Sequence, residues 1–298
     1  MPLKLPATIG LECFLIFLPL VFIVGRIYVR LYKLNTVLNA SDYFVFIGWF
    51  CLLGWAISTG LALKFNGYSW ADSSSDELNG QLQRCLFAAE ILFDIGLYFP
   101  KFSLLALYFV IIKDCFRKTR IALRVITTFI ALASLTVMVL DFAICEPFSL
   151  QFSLIPGQCS SWTSWVTFDT NFVLNMVCDI LVFALPFSFL GKMKISKKAR
   201  IGLIGTFALG VVTILVGAMR YTLGVVYWDL PTTIVCTTAE LCCALIVVSL
   251  PILRHLFGES VKEKGNRLIN SSCQQQQVSS SENPVSDNCL ALDMSSWA

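Results

Sequence analysis

Apolar residues gather in stretches of about 20 residues or more, the length that a bilayer core demands of a helix. There are seven, at roughly 10–32, 42–65, 84–112, 121–145, 164–190, 201–227 and 232–257. From 258 to 298 the pattern changes: Gln274 to Gln277, many Ser and few apolar residues until the end. That stretch reads as a disordered tail. No internal repeat is apparent. The pattern predicts an all-α polytopic membrane protein, with a seven-helix transmembrane bundle over 1–257 and a tail over 258–298.

The third stretch breaks its own rule. It carries Glu90, Asp94 and Lys101, although each ionisable group near the centre of a span costs roughly 2.5–3.5 kcal/mol. Offsets of four and seven put all three on one helical face, together with Tyr98, Leu105 and Tyr108. Such a face is expected to look into the bundle rather than at lipid. Pro100, beside Lys101, interrupts the hydrogen-bond ladder and predicts a kink.

Composition agrees with a membrane protein: 57% of the 298 residues are hydrophobic and 14% are charged, with mean hydropathy +0.75. Soluble domains carry about 25% charged residues. The net charge of +3 says little about partners, and no nucleic acid is expected. A single His, His255, argues against His-based catalysis or a His-rich metal site. Most of the twelve Cys lie inside apolar stretches, where Cys acts as a small hydrophobe. There is no CxxC, and adjacent Cys242 and Cys243 are poorly spaced for a metal clamp, so no metal is expected. The first apolar run is long and ends in Arg26, Arg30 and Lys33, as a signal-anchor does, so no cleavable signal peptide is expected.

Orientation follows from Lys and Arg. They crowd the first connection (Arg26, Arg30, Lys33), the third (Lys113, Arg117, Lys118, Arg120, Arg124), the fifth (Lys192, Lys194, Lys197, Lys198, Arg200) and the start of the tail (Arg254, Lys262, Lys264, Arg267). The alternate connections are acidic or neutral, with Asp72, Asp76, Glu77, Glu146 and Asp229. The N-terminus is therefore expected outside and the C-terminus in the cytoplasm. On the outer side, Cys145 and Cys159 would close a loop of about 15 residues, which stabilises by about 3 kcal/mol in the chain-entropy model. Cys85, at the outer end of the third span, is a rival partner for Cys159.

Further polar residues punctuate later spans: Asp141 in the fourth, Asp169, Asn171, Asn175 and Asp179 in the fifth, Arg220 in the sixth and Glu240 in the seventh. Asn171, Asn175 and Asp179 are spaced by four and share a stripe, and Pro186 follows on the same side. The carboxylates outnumber Lys101 and Arg220. The set Glu90, Asp94, Lys101, Asn175, Asp179, Arg220 and Glu240 reads as a ligand-binding surface in a hydrated cavity. Paired ions that only fix helix register are the plainer reading. As catalysts, Glu90, Asp94, Asp179 and Glu240 would be acids or bases. Trp49, Trp55, Trp70, Trp162, Trp165 and Trp228 lie near span ends, as interfacial belt residues do.

In order along the chain stand Asp42; Glu90-Ile91-Leu92; Lys101-Phe102-Ser103-Leu104-Leu105 with Tyr108; Cys145-x-Pro147; and Pro156-Gly157-x-Cys159. Asn175 with Asp179 and Pro186, Leu209-Gly210 with Arg220, and Glu240 with Pro251-x-Leu253-Arg254 complete the series. Over about 10–257 this resembles the fungal rhodopsin-like seven-helix family. That family includes receptor-like proteins related to those fused to Cys-rich CFEM domains, and membrane proteins of satratoxin-type secondary-metabolite clusters. Val110 departs from an Arg usual there, Phe152 from a Trp, Cys242 from an Asn and Ser69 from a nearby His. Asp42 lacks its usual acidic neighbour. Residues 232–257 contain no Lys for a retinal Schiff base, so no retinal and no other cofactor is expected.

Two functions follow. One is a receptor-like, non-retinal protein of the plasma membrane or an endomembrane, taking a small lipophilic or extracellular ligand and a cytoplasmic signalling partner. The alternative is an intramembrane enzyme or accessory protein of secondary-metabolite biosynthesis, cyclising, isomerising or dehydrating a lipophilic intermediate. A transporter is weaker, because no inverted repeat or pair of broken helices is present. The expected topology puts the sequons Asn39-Ala40-Ser41 and Asn270-Ser271-Ser272 in the cytoplasm. Both should stay unglycosylated, and a mobility shift on glycosidase treatment, mapped to either Asn, would reverse the assignment.

Overall fold

The computed structural model describes residues 5–33, 37–71, 76–111, 117–152, 161, 164–190, 197–227 and 231–253. Within those ranges the side chains at 5–7, 33, 65–71, 76–79, 111, 117, 118, 149, 186–190, 197–209 and 227 are not described. All long elements among the described residues are helices: α1 Leu5–Tyr28, α2 Ala40–Ala71, α3 Asp76–Ile111, α4 Arg117–Ala143, α5 Trp165–Leu190, α6 Lys197–Tyr227 and α7 Pro231–Leu253. A π-helical turn, Val29–Lys33, extends α1, and a 3₁₀ turn, Phe148–Phe152, follows α4. The chain divides into Met1–Arg254, which holds the helices, and His255–Ala298, which lies outside the described residues. So do Cys159, the side chain of Pro186 and those of Trp70, Trp162 and Trp228.

Six of the seven helices are long and apolar enough to cross a membrane. The sixth in order, α6, has 31 residues, of which Gly210–Val226 is a described apolar stretch. At 1.5 Å per residue it is about 46 Å long, more than the ~30 Å hydrocarbon core. The helices α3 and α7 are central, with 61% of each apolar window buried, against 22% in α1 and α4. Large apolar side chains face outward on the peripheral helices, among them Phe17, Val21, Leu132 and Leu215. In a soluble protein so much exposed apolar surface would drive aggregation; in lipid it is the ordinary exterior.

The face predicted for α3 is buried throughout, at Glu90, Asp94, Tyr98, Lys101, Leu105 and Tyr108. Pro100 does not end the helix. One Trp departs from the belt assignment. Trp55 is 1% exposed, lies tilted against Phe93 with ring centroids 5.6 Å apart, and donates to the Thr238 hydroxyl at 3.0 Å. It stands mid-span, and its indole N–H finds its partner on α7 instead of in the headgroups.

At the α1–α2 end, two arginines counted as connection charges are buried. The Arg26 Nε lies 2.8 Å from Asp42 Oδ1, and Arg30 Nη1 lies 3.0 Å from Asp42 Oδ2. Asp42 also accepts the backbone N–H of Asn39 at 2.9 Å, half of a capping box that starts α2. Arg26 donates further to Val248 O on α7 and to Ser41 Oγ, both at 2.6 Å. Ser41 and Ser103 each donate to the other's backbone carbonyl, at 2.8 and 2.7 Å, tying α2 to α3. Asp42 thus ties α1 to α2, and Arg26 carries the tie on to α7. Asp42→Ala leaves two buried guanidiniums without their counter-charge and is expected to cost about 3–5 kcal/mol. Thermal unfolding in lipid nanodiscs would read this as a large drop in midpoint.

Candidate functional site

Most of the polar residues of α3, α5, α6 and α7 meet inside the bundle, in two networks of different charge.

The first network joins four helices. Lys101 Nζ on α3 lies 3.0 Å from Asp179 Oδ1 on α5. It also donates to the side-chain oxygen of Asn175 and, at 3.3 Å, to its backbone carbonyl. Asn175 Nδ2 donates to Glu240 Oε1 on α7 at 3.0 Å, and Glu240 Oε2 lies 2.5 Å from Arg220 Nε on α6. The chain Asp179–Lys101–Asn175–Glu240–Arg220 holds two cations and two carboxylates, so it is electrically balanced. The Arg220 guanidinium sits 4.9 Å from the Phe93 ring centroid and 5.7 Å from that of Phe168. The apolar side of the planar cation thereby meets aromatic faces rather than water.

Helix packing makes this geometry possible. A Cβ at Gly217 would stand 3.0 Å from Glu240 Oε1 and 3.0 Å from Met176 Cε. The bare backbone lets α6 approach α7 closely enough for Arg220, nearly one turn on, to reach Glu240. At Gly210 a Cβ would lie 2.5 Å from the Phe183 ring of α5. Lys101, Asn175, Asp179 and Glu240 line a space of about 20 Å³, enough for about one water.

The second network lies toward the other end of α3. The Ser161 hydroxyl donates to Glu90, and Gln151 donates to Ser161. Gln151 is positioned by the 3₁₀ turn, whose Phe148 and Phe152 pack edge-on against Phe87 at 5.6 and 5.7 Å. Asn171 donates to Asp94. Asp141 of α4 is fully buried and faces Asp94. No Lys or Arg among the described residues pairs with Glu90, Asp94 or Asp141.

The predicted ligand set is therefore split. Lys101, Asn175, Asp179, Arg220 and Glu240 form one unit, whereas Glu90 and Asp94 belong to another with Asp141. Asp169 joins neither: it is exposed and accepts from the Tyr221 hydroxyl at 2.9 Å. Its two-residue offset from Asn171 already puts it off the stripe. Three members went unnoticed in the sequence. Glu12 is buried near the start of α1, within 3.3 Å of Thr59 Oγ1 and 3.4 Å of Thr238 Oγ1; a lone acid in the first apolar run was its signal. Gln151 and Ser161 lie in a connection, and nothing in their spacing points to α3. Cys145 is buried and disulfide-bonded, and Cys85 is a free thiol. The expected partner, Cys159, lies outside the described residues.

A model of the fungal rhodopsin domain matches residues 25–259, nearly the whole bundle. The chain belongs to the fungal rhodopsin domain family. A relative is the Fugralins biosynthesis cluster protein 2 of Gibberella zeae, 27% identical over 113 residues, or 36% of this chain. The chain spans only 28% of that relative's length. No solved structure matches. Within this fungal rhodopsin domain the one Lys well inside a span, Lys101, is ion-paired on α3, and α7 carries none.

The balanced network predicts strong coupling between its ends. Glu240→Met or Arg220→Met alone strands a buried charge and should cost about 3–5 kcal/mol. The double variant Arg220→Met/Glu240→Met should cost much less than the sum. A double-mutant cycle on thermal unfolding checks this, and additive losses would mean that the pair does not interact.

Proposed function

We propose that this fungal rhodopsin domain is a multi-pass, receptor-like, non-retinal membrane protein whose bundle responds to a small lipophilic or extracellular molecule. The observation that carries the reading is the balanced chain from Asp179 to Arg220. Four charges inside an apolar bundle cost far more than apolar side chains of the same size would. They make the mutual placement of α3, α5, α6 and α7 depend on one set of hydrogen bonds. A ligand that competes for any of them shifts the whole arrangement, which is the requirement for a two-state element. The space that Lys101, Asn175, Asp179 and Glu240 line, about 20 Å³, supports a switch rather than a preformed pocket.

In this reading the N-terminus is outside and the tail, 258–298, is cytoplasmic, where the basic connections and a signalling partner would meet. Cys145 pairs with Cys159 on the oxidising face. The membrane is the plasma membrane or an endomembrane.

A second reading has one observation in its favour. Glu90, Asp94 and Asp141 lie together without a cation, as an intramembrane acid–base catalyst or an accessory protein for a lipophilic intermediate would need. The name of the relative, a biosynthesis cluster protein, points the same way.

Microsomes bearing the wild type or Asp94→Asn, incubated with a lipophilic extract from cells lacking the protein, separate the two. The receptor-like reading expects no new product by mass spectrometry. It also expects an extract fraction that stabilises the wild type against unfolding, by about 2.7 kcal/mol at a hundredfold excess over Kd. A compound or isomer made by the wild type and lost in Asp94→Asn would establish the enzyme instead.

A further inference from the structure

A third polar group lies apart from both networks, where α1, α2 and α7 meet. Glu12 of α1 is 4% exposed, and Thr59 of α2 and Thr238 of α7 are fully buried. No Lys or Arg among the described residues pairs with Glu12. A carboxylate held inside an apolar bundle needs a counter-charge, and the oxygens around this one are arranged to take one from outside the chain.

A threonine hydroxyl has a single O–H to donate. Thr59 donates to Trp55 O at 2.9 Å, and Thr238 donates to Ile234 O at 2.8 Å. Thr238 Oγ1 also accepts the Trp55 indole N–H at 3.0 Å. With those protons committed, both hydroxyls present lone pairs to Glu12 Oε1, at 3.3 and 3.4 Å. Those separations exceed the ~2.5–3.0 Å of an O–H···O hydrogen bond. They match neighbouring oxygen ligands of one ion. Ca²⁺ holds its oxygens at about 2.3–2.6 Å, Na⁺ has nearly the same radius, and two such ligands at a right angle stand about 3.3–3.7 Å apart. Thr8 supplies a further oxygen. Its hydroxyl is fully buried with no hydrogen-bond partner among the described residues. It stands one turn before Glu12, on the side toward which the Glu12 side chain leans.

We propose that Glu12, Thr8, Thr59 and Thr238 form a site for Na⁺, which ties α1 to α2 and α7. One carboxylate balances one positive charge, and carboxylate and hydroxyl oxygens suit a hard ion. A divalent or transition metal matches poorly. Its second charge would stay uncompensated, and no three His, Cys, Asp or Glu converge among the described residues. The path to the site is short, because Glu12 is about 6 Å along the helix from Thr8, where the first apolar span begins. The site stands whether the bundle is a receptor or an enzyme.

The test uses the full chain in nanodiscs, with thermal unfolding as the readout. NaCl is titrated against KCl and against N-methylglucamine chloride at constant ionic strength, so that screening is the same throughout. Na⁺ should raise the midpoint saturably, as a ligand of the folded state does. K⁺, which needs longer bonds, should raise it less, and N-methylglucamine should not raise it. Glu12→Gln should abolish the Na⁺ shift. Thr8→Val should raise the half-saturating Na⁺ concentration by roughly tenfold, while leaving the midpoint in N-methylglucamine unchanged, since the hydroxyl it removes bonds nothing else. That variant keeps the test decisive even where Glu12→Gln does not accumulate. Equal shifts with all three cations overturn the proposal, as does a Na⁺ shift unchanged in Thr8→Val. An absent Na⁺ shift overturns it too, and means that Glu12 is held as the neutral acid, donating its own proton to a threonine hydroxyl.

Discussion

Lys101 and Arg220 are each about 5% exposed in an apolar bundle, and neither survives there as a charge without a carboxylate in contact. That constraint orders the helices around them. Lys101 requires Asp179, so α3 and α5 must meet at that depth. Arg220 requires Glu240, so α6 and α7 must meet. Asn175 joins the two pairs by donating to Glu240 while accepting from Lys101. The central place of α3 and α7 follows, since each supplies one member of a pair whose partner comes from an outer helix.

The helix α3 carries polar contacts along most of its membrane length. Glu90 and Ser103 are thirteen residues apart, or about 20 Å, and Asp94 and Lys101 lie between them. At the Ser103 end, hydrogen bonds run through Ser41 to Arg26 and Asp42. At the Glu90 end they run through Ser161 to Gln151. Outside this polar spine the bundle presents apolar side chains to lipid, and α1 and α4 need few inward contacts because lipid covers their remaining surface.

The two networks differ in what they ask of their surroundings. The Lys101–Arg220 chain satisfies its own charges and encloses space for one water. The Glu90–Asp94–Asp141 group brings three carboxyls together, with Ser161 and Asn171 as donors and no Lys or Arg among the described residues in contact.

The sequence by itself determined the helices, because hydrocarbon forces every backbone polar group into an internal hydrogen bond and a ~30 Å core fixes the length. It also determined the inward face of α3, since the spacing of Glu90, Asp94 and Lys101 leaves one face for all three. The motif order that placed the chain among the fungal rhodopsins was equally legible. Pairing was not. Seven helices carrying more acids than bases admit many matchings, and helical periodicity says nothing about which neighbour lies opposite. Only the tertiary structure decided that Asp179 goes to Lys101, that Glu240 goes to Arg220 and that Asp141 faces Asp94. It also decided that Arg26 and Arg30 turn inward to Asp42 and that Trp55 reaches Thr238. Those choices depend on helix contacts such as the close approach at Gly217, which are set by packing between segments far apart in the chain.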